Sequence, residues 1–472
     1  MTAEARQSIR EVAQGIRSGS LSAVEVMTRC LDASDRLAGP LNAFASRNSR
    51  DRLMSQAIDV DRRRKNGGAL RPLDRIPIAV KDVFFTTDLP TTASSKAFAG
   101  FHPGEDGFAV GKLRAAGALV VGKSQTHELA YGPTTANEYA GPSRNPWNLA
   151  HVPGGSSGGS AIAVATGMCL GATGSDTGGS IRTPSAFCGV SGLKPTYGLV
   201  SRSGIFSLSW SLDHAGAIAG SADDLAFLLQ AMAGFDPNDP GSVEFVVPDY
   251  VAGVGHAPRA LRVGVPKEHY FDVLDPEVSQ AFDAALDVLR DCGWTIDEVS
   301  IPHLEHGLGA ELAILGAEAA AYHRDLMQRQ AEDISNNVRR ELDAGMMILA
   351  TDYLLGQRVR RLIVDDFAAA FAKVDLLVTP TTPIPAPRIG RTEIEIGGKM
   401  HSALGAIWRN VYPTNLTGSP TLCVPCGFSE AGLPISLQMI GRNFAELTLL
   451  KAGHCFQSAT NWHKCMPTES GS

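Results

Sequence analysis

No segment of this chain is both long enough and apolar enough to cross a bilayer. The most apolar stretch, "SAIAVATGMCLGATG", is short and broken by glycine and polar residues, below the roughly 20 residues that a spanning helix needs. The N-terminus, "MTAEARQSIREVAQG", has neither the basic nor the apolar region of a secretory signal. A sustained basic block is missing too, and the net charge is −7, which speaks against nucleic acid or an anionic membrane as a partner. Cysteine is scarce, eight in 472 residues, and scattered, so the chain reads as a cytoplasmic protein with reduced thiols. Cys423 and Cys426 form a single C-x-x-C with no second pair at zinc-ligand spacing. They read as strand packing, and no metal or other cofactor is expected. No internal repeat is present.

Apolar material, by contrast, is ample: 44% of residues are hydrophobic, enough for a large core. Residues 3–64 read as helices. "AEARQSIREVAQGIRSG" puts Ile9, Val12 and Ile16 on one face and stops at Gly19, and Ser22 caps the next helix. "RIPIAVKD" reads as a buried strand ending at Lys81, with Asp82 a solvated or capping carboxylate. "ALVVGK", "LRVGVP", "WTIDEVSIP", "DLLVTPTTP", "TLCVPCG" and "LPISLQMIG" are further strands. Residues 308–373 are mostly helical, and "ELTLLKAGHCFQSAT" closes the chain as a helix. Helices alternating with short apolar strands argue for an α/β protein. The turn-rich "FDPNDPGS" is the best sub-domain boundary.

Between Pro133 and Gly216 glycine, serine, threonine and proline dominate. The interleaved apolar runs are too specific for a linker, so this reads as a compact core whose backbone approaches something closely. Two motifs stand out, "PGGSSGGS" at 153–160 and "GSDTGGSIR" at 174–182. Serine is a weak nucleophile that needs a base and hydrogen-bond donors aimed at the developing oxyanion. "Thr177-Gly178-Gly179-Ser180" lets nucleophile and donors share one tight turn. Neither motif is a P-loop or G-x-G-x-x-G. "GGSSGG" also satisfies G-x-S-x-G with Ser156 or Ser157 central, which would call for Asp365 or Asp375 with His401 or His454. Nothing around those residues singles them out.

The sequence resembles the amidase signature family. The likeness begins near "IPIAVKD" and is densest through "NPWNLAHVPGGSSGGSAIAVATG", "GSDTGGSIRTPSAFCGVSGLKPTYGLVS" and "SLDHAG". It returns in "DLLVTPTTPIPAP", "NLTGSPTLCVPCGF" and "LPISLQMIG". The resemblance implies a central mixed β-sheet covered by helices on both faces. It divides the chain into an N-terminal helical segment packed on the core (1–64), a catalytic core (65–236) and the C-terminal part of the same α/β domain (237–472). It implies a triad of Lys81 as base, Ser156 after a cis peptide as bridge, and Ser180 as nucleophile. The oxyanion hole falls on the backbone of Thr177, Gly178, Gly179 and Ser180, with Ser157, Asp176 and Arg182 as supports. A lysine acts as base only when neutral, so burial must lower its pKa. Ser156 then bridges Ser180 to Lys81 and returns the proton to the leaving nitrogen.

The substrate is less defined. Gln125, in "KSQTHELAYG", replaces the family's usual asparagine at the pocket edge. Arg360 matches an arginine able to bind a substrate carboxylate, and Trp408 stands near the place of an aspartate that holds glutamine in the A subunits of tRNA amidotransferases. Tyr131, Phe206, Trp210 and Trp408 are candidate apolar walls. The expected activity is hydrolysis of a small amide or carbamate through an acyl-enzyme on Ser180. The alternative is an A-type subunit of a glutamine-dependent tRNA amidotransferase. The expected partners are a small-molecule substrate and water, with a homodimer left open and no nucleic acid or membrane.

Overall fold

The computed structural model describes residues 6–468 of the chain except 75, 257 and 259. The start of the first helix expected from residue 3 lies outside them. Eleven strands form one sheet: β1 (Phe44–Arg47), β2 (Pro77–Lys81), β3 (Leu119–Ser124), β4 (Gly171–Asp176), β5 (Ser191–Lys194), β6 (His214–Ala219), β7 (Arg262–Pro266), β8 (Thr295–Val299), β9 (Leu376–Pro380), β10 (Thr421–Phe428) and β11 (Pro434–Gly441). Their order across the sheet is β1-β3-β2-β4-β6-β5-β10-β11-β9-β7-β8. The runs β3-β2-β4 and β9-β7-β8 are parallel, and the other pairings are antiparallel. The sheet is mixed, in line with the resemblance.

Both faces are covered. Along β2, Ile78 and Val80 enter one apolar cluster and Ala79 another; on β6, Ala217 and Ala219 part from Ile218 in the same way. Alternate side chains of a strand point to opposite faces, so the two clusters lie on opposite sides of the sheet. Helix Ala222–Met232 supplies the first cluster with Leu225 and Leu228. Helix Ala23–Leu41 and helix Gly158–Ala165 supply the second. Gly158–Ala165 is buried all round, as expected of a helix apolar on every side.

The N-terminal helices run Ile9–Ser18, Ala23–Leu41 and Arg50–Lys65. Ser8 and Ser22 each form a capping box, and Gly19 ends the first helix in the left-handed region. The all-helical expectation for 3–64 misses β1. This short strand exists by pairing antiparallel with β3 at the sheet edge, a contact that no local pattern announces. Asp82 is fully buried, not solvated: it accepts the backbone N–H groups of Thr92 and Ser94 and faces Lys123 Nζ at 3.5 Å. All eight cysteines are free, and Cys423 and Cys426 lie buried on β10. No helix among the described residues is long and apolar enough to cross a membrane.

Candidate active site

Lys81 ends β2 and is fully buried. Its backbone N–H donates to Thr173 Oγ1 on β4 at 2.9 Å. Its ammonium has three protons and three acceptors: Ser156 Oγ at 2.7 Å, Ser175 Oγ at 2.8 Å and the Ser175 carbonyl at 3.3 Å. Burial pushes the lysine from its ordinary 10.5 to about 7, opposed by the charges of Asp176 and Asp213. Once neutral, Nζ has two protons and a lone pair. A carbonyl cannot donate to that lone pair, so a hydroxyl must. If Ser156 does so, its oxygen is open to a proton from elsewhere.

The two serine loops are stitched together. Ser156 follows a cis peptide bond from Gly155. Its carbonyl accepts from His127 N–H at 3.0 Å and from Thr135 Oγ1 at 3.4 Å. Ser157 N–H donates to the Ser180 carbonyl at 3.2 Å, and Ser157 Oγ donates to the Ser175 carbonyl at 3.3 Å. Ser156 and Ser157 are fully enclosed, whereas Ser180 is half-buried. Among the described residues no hydrogen bond joins Ser180 Oγ to Ser156 Oγ.

Asp176 shapes the turn. Its carboxylate accepts from the N–H of Gly179 at 2.9 Å and of Ile181 at 3.0 Å, from Arg182 Nη2 at 2.8 Å and from Asn415 Nδ2 at 2.9 Å. Burial alone would raise this carboxyl; the charge and hydrogen bonds of Arg182 hold it well below the usual carboxylate range. Arg182, itself fully buried, also donates to the Val411 carbonyl, Thr414 Oγ1 and Asn415 Oδ1. This corrects the expected oxyanion hole: the Gly179 N–H is already occupied by Asp176. The N–H groups of Gly178 and Ser180 have no protein acceptor among the described residues. Gly179 has φ +115, where L side chains are rare, and a Cβ there would collide with Val411. A Cβ on Gly178 would collide with the Trp408 ring.

The other expected residues divide. Phe206 and Trp210 line a cavity of about 230 Å³ that reaches Ser175 and Thr177. Trp408 stands against the Gly178 turn. Tyr131 is half-buried against the main core, and the cavity wall beside it is formed by Ala130 instead. Gln125 is buried, accepts from Ser94 Oγ at 2.6 Å, donates to Asn42 Oδ1 at 3.4 Å and does not line the cavity of about 230 Å³. Arg360 donates to the Leu416 carbonyl at 2.7 Å, to the Ser211 carbonyl at 3.0 Å and to Ser211 Oγ at 3.3 Å. The nucleophile-elbow alternative loses its partners. Asp365 pairs with Arg361, Asp375 with Arg262 and His454 with Asp223.

Three residues that the sequence did not single out belong to the site. Ser175 lies on β4, the parallel neighbour of β2, so the strand ends bring its hydroxyl to Lys81. Asn415 completes the Asp176 cluster. Asp213, in "SLDHAG", accepts from Thr177 Oγ1 at 2.6 Å and from Ser207 Oγ at 2.7 Å, fixing the loop against the turn. Among the described residues no group of three or more His, Cys, Asp and Glu could hold a metal ion.

A family model described as Amidase matches residues 25–450. The A subunit of glutamyl-tRNA(Gln) amidotransferase from Chloroflexus aggregans is 40% identical over 477 residues, 96% of each chain. The solved A subunit of the enzyme of the same name from Thermotoga maritima superposes with a TM-score of 0.81 at 32% identity, over 98% of this chain and 97% of that one. A chain from a vestigial protein complex bearing on the origins of an s-triazine catabolic enzyme superposes with a TM-score of 0.91 at 35% identity, over 96% of this chain and 98% of that one. Fold and likeness together define a hydrolase that acts on carbon–nitrogen bonds. The chain belongs to the amidase family. One expectation is overturned here. Partners limited to a small molecule, water and a second copy do not fit relatives that are subunits of an amidotransferase named for a tRNA, or one found in a protein complex.

Proposed function

We propose that this chain is the amide-hydrolysing subunit of a larger assembly, of the A type found in glutamyl-tRNA(Gln) amidotransferases, working through an acyl-enzyme on Ser180. The observation that carries the reading is the 2.7 Å contact of a buried Lys81, brought to about 7, with Ser156. Lys81 takes the Ser156 proton, Ser156 takes that of Ser180, and Ser180 Oγ attacks the amide carbonyl. The N–H groups of Gly178 and Ser180 receive the oxyanion. The proton returns through Ser156 to the nitrogen, which leaves as ammonia or an amine. Water then attacks the ester, passes its proton to the same relay and releases the acid. Identity of 40% along the whole length of such A-type relatives supports a place in an assembly of this kind. The reading puts the chain in the cytoplasm, in keeping with its free thiols.

A second reading concerns the amide alone. Trp408 against Gly178 sets an aromatic wall at the turn, which favours a small amide or carbamate over glutamine as the compound cleaved. The test is made on the full chain purified with and without partner subunits. Ammonia release from glutamine and amidation of glutamyl-tRNA(Gln) are measured beside a panel of small amides and carbamates. Glutamine-dependent amidation that disappears in Ser180→Ala supports the first reading. Turnover of small amides but never of glutamine overturns it in favour of the second. Activity kept by Ser180→Ala sinks both.

A further inference from the structure

We infer that the outward side of helix Ala350–Phe371, with the turn before it, docks a helix of a partner subunit that carries an apolar seam flanked by carboxylates. This rests on the reading of the chain as one subunit of an assembly. The inward side of the helix is already used. Gly356, Ile363, Phe367 and Ala370 are buried, and a Cβ on Gly356 would stand 3.2 Å from the Ala310 carbonyl of helix Gly307–Tyr322. One apolar face is enough to hold a surface helix on its core. This helix has a second. Thr351, Leu355, Arg358, Leu362, Asp365 and Ala369 follow one another at alternate spacings of four and three residues, and all are exposed. That spacing lines them along one side of the helix, and it is the spacing at which two helices interlock their side chains.

Leu355 is 57% exposed and Leu362 44%. The turn into the helix and its first residues add Met346, Met347, Leu349 and Leu354, each more than half exposed, and Leu349 is the N-cap that joins turn to seam. These six side chains leave on the order of 600 Å² of apolar surface in water, as much as the largest patch of an ordinary monomer. One partner of a stable interface gives about 800 Å², so the patch supplies most of one side. Charge then selects what covers it. Asp365 is held by Arg361 at 3.0 Å. Arg358, between the two leucines, has no ion pair among the described residues, and a carboxylate on the incoming helix would complete it. Between residues 339 and 365 five arginines stand against four acidic residues. A surface so nearly neutral gives anionic lipid little hold, which leaves a protein helix as the occupant.

Two synthetic peptides test the surface on the purified full-length chain. Both are helical with leucine along the seam. One carries glutamate at the flanking positions and the other lysine, so like charges keep each from pairing with itself. In calorimetry the glutamate peptide should bind at least about tenfold tighter than the lysine peptide. Arg358→Glu should reverse that order, and Leu355→Ser with Leu362→Ser should abolish binding of both while circular dichroism stays unchanged. No binding by either peptide, an order that ignores Arg358→Glu, or binding that survives the serine pair would overturn the surface. Sedimentation with vesicles of phosphatidylcholine and phosphatidylserine should leave the chain in solution; co-sedimentation lost in the serine pair would give the surface to lipid and sink the proposal. In the reconstituted assembly, benzoylphenylalanine in place of Leu355 should photocrosslink to a partner subunit, and a crosslink to a second copy of this chain would refute the choice of occupant. Peptide binding in the expected order by a chain that supports glutamine-dependent amidation in no assembly would keep the surface and sink the assembly reading. An assembly that forms and amidates unimpaired with the serine pair would keep that reading and sink the surface.

Discussion

Lys81 sits where a positive charge is costly, and pH reports that cost directly. In water a lysine titrates near 10.5; burial brings this one to about 7. The gap is worth about 5 kcal/mol. Below about pH 7 both folded and unfolded chains hold the proton, and the folded state carries the full penalty. Between about 7 and 10.5 the unfolded chain still binds a proton that the folded chain has lost, so stability rises with pH across that window. Lys81→Met keeps the length of the side chain and removes the charge. Urea unfolding at about pH 6 and about pH 9 should therefore give different variant-minus-wild-type gaps. The gap should favour the variant by about 2–3 kcal/mol more at the lower pH. Whatever the variant loses by leaving Ser156 and Ser175 without their partner is common to both conditions and cancels. In parallel, wild-type kcat/KM on an amide should fall about tenfold per pH unit below pH 7, because only neutral lysine accepts a proton. A stability gap that ignores pH, or a rate that stays flat to about pH 5, would refute the reasoning.

Ser175→Ala removes an acceptor of the lysine proton, so the acid limb of the rate profile should move to lower pH; a move upward contradicts the geometry. Asp176→Asn leaves the fully buried Arg182 without its charged partner and should cost about 3–5 kcal/mol in denaturant unfolding; a loss well under 1 kcal/mol would show that Arg182 is satisfied by carbonyls alone. Gly179→Ala forces a side chain into Val411 at a positive φ, and kcat should drop by about 100-fold or more as the oxyanion donors shift. Unchanged kcat would separate the turn from catalysis. A fluorophosphonate probe followed by peptide mass spectrometry should label Ser180, the half-buried serine of the two loops; a label on Ser157 would count against the proposed mechanism.

Much of the frame was legible because apolar runs and caps are local signals. "IPIAVKD" became β2 with Lys81 at its end, and Ser22 and Gly19 sit at helix ends as their chemistry requires. The central strands β4, β5 and β6 were not marked as strands. "GATGSD", "SGLK" and "HAGAIA" have few β-branched residues, and a Cβ on Gly171, Gly174, Gly192 or Gly216 would collide with a neighbouring side chain or carbonyl. For the site, Gly-Gly-Ser announced a tight turn but not how its N–H groups are shared. Asp176 takes the middle one through contacts that depend on Arg182 and Asn415. The contacts of Arg360 and Gln125 were hidden for the same reason. A long polar side chain in a sequence does not reveal whether backbone carbonyls or another side chain have already engaged it.

The Asp176–Arg182–Asn415 cluster joins residues 239 positions apart, and this gives the protein a timetable. Lys81, Ser156 and Ser180 are synthesised early. The helix Pro413–Thr417 that closes the cluster, and β10, which pairs with β5, come late. At ribosomal rates the early residues wait roughly 10 to 50 s for their clamp. Through that interval the nascent chain holds every residue of the proposed relay but not the turn that aims it. A truncated product ending before residue 413 would be in the same position permanently, so the last eighth of the chain acts as the arming step of the proposed hydrolase.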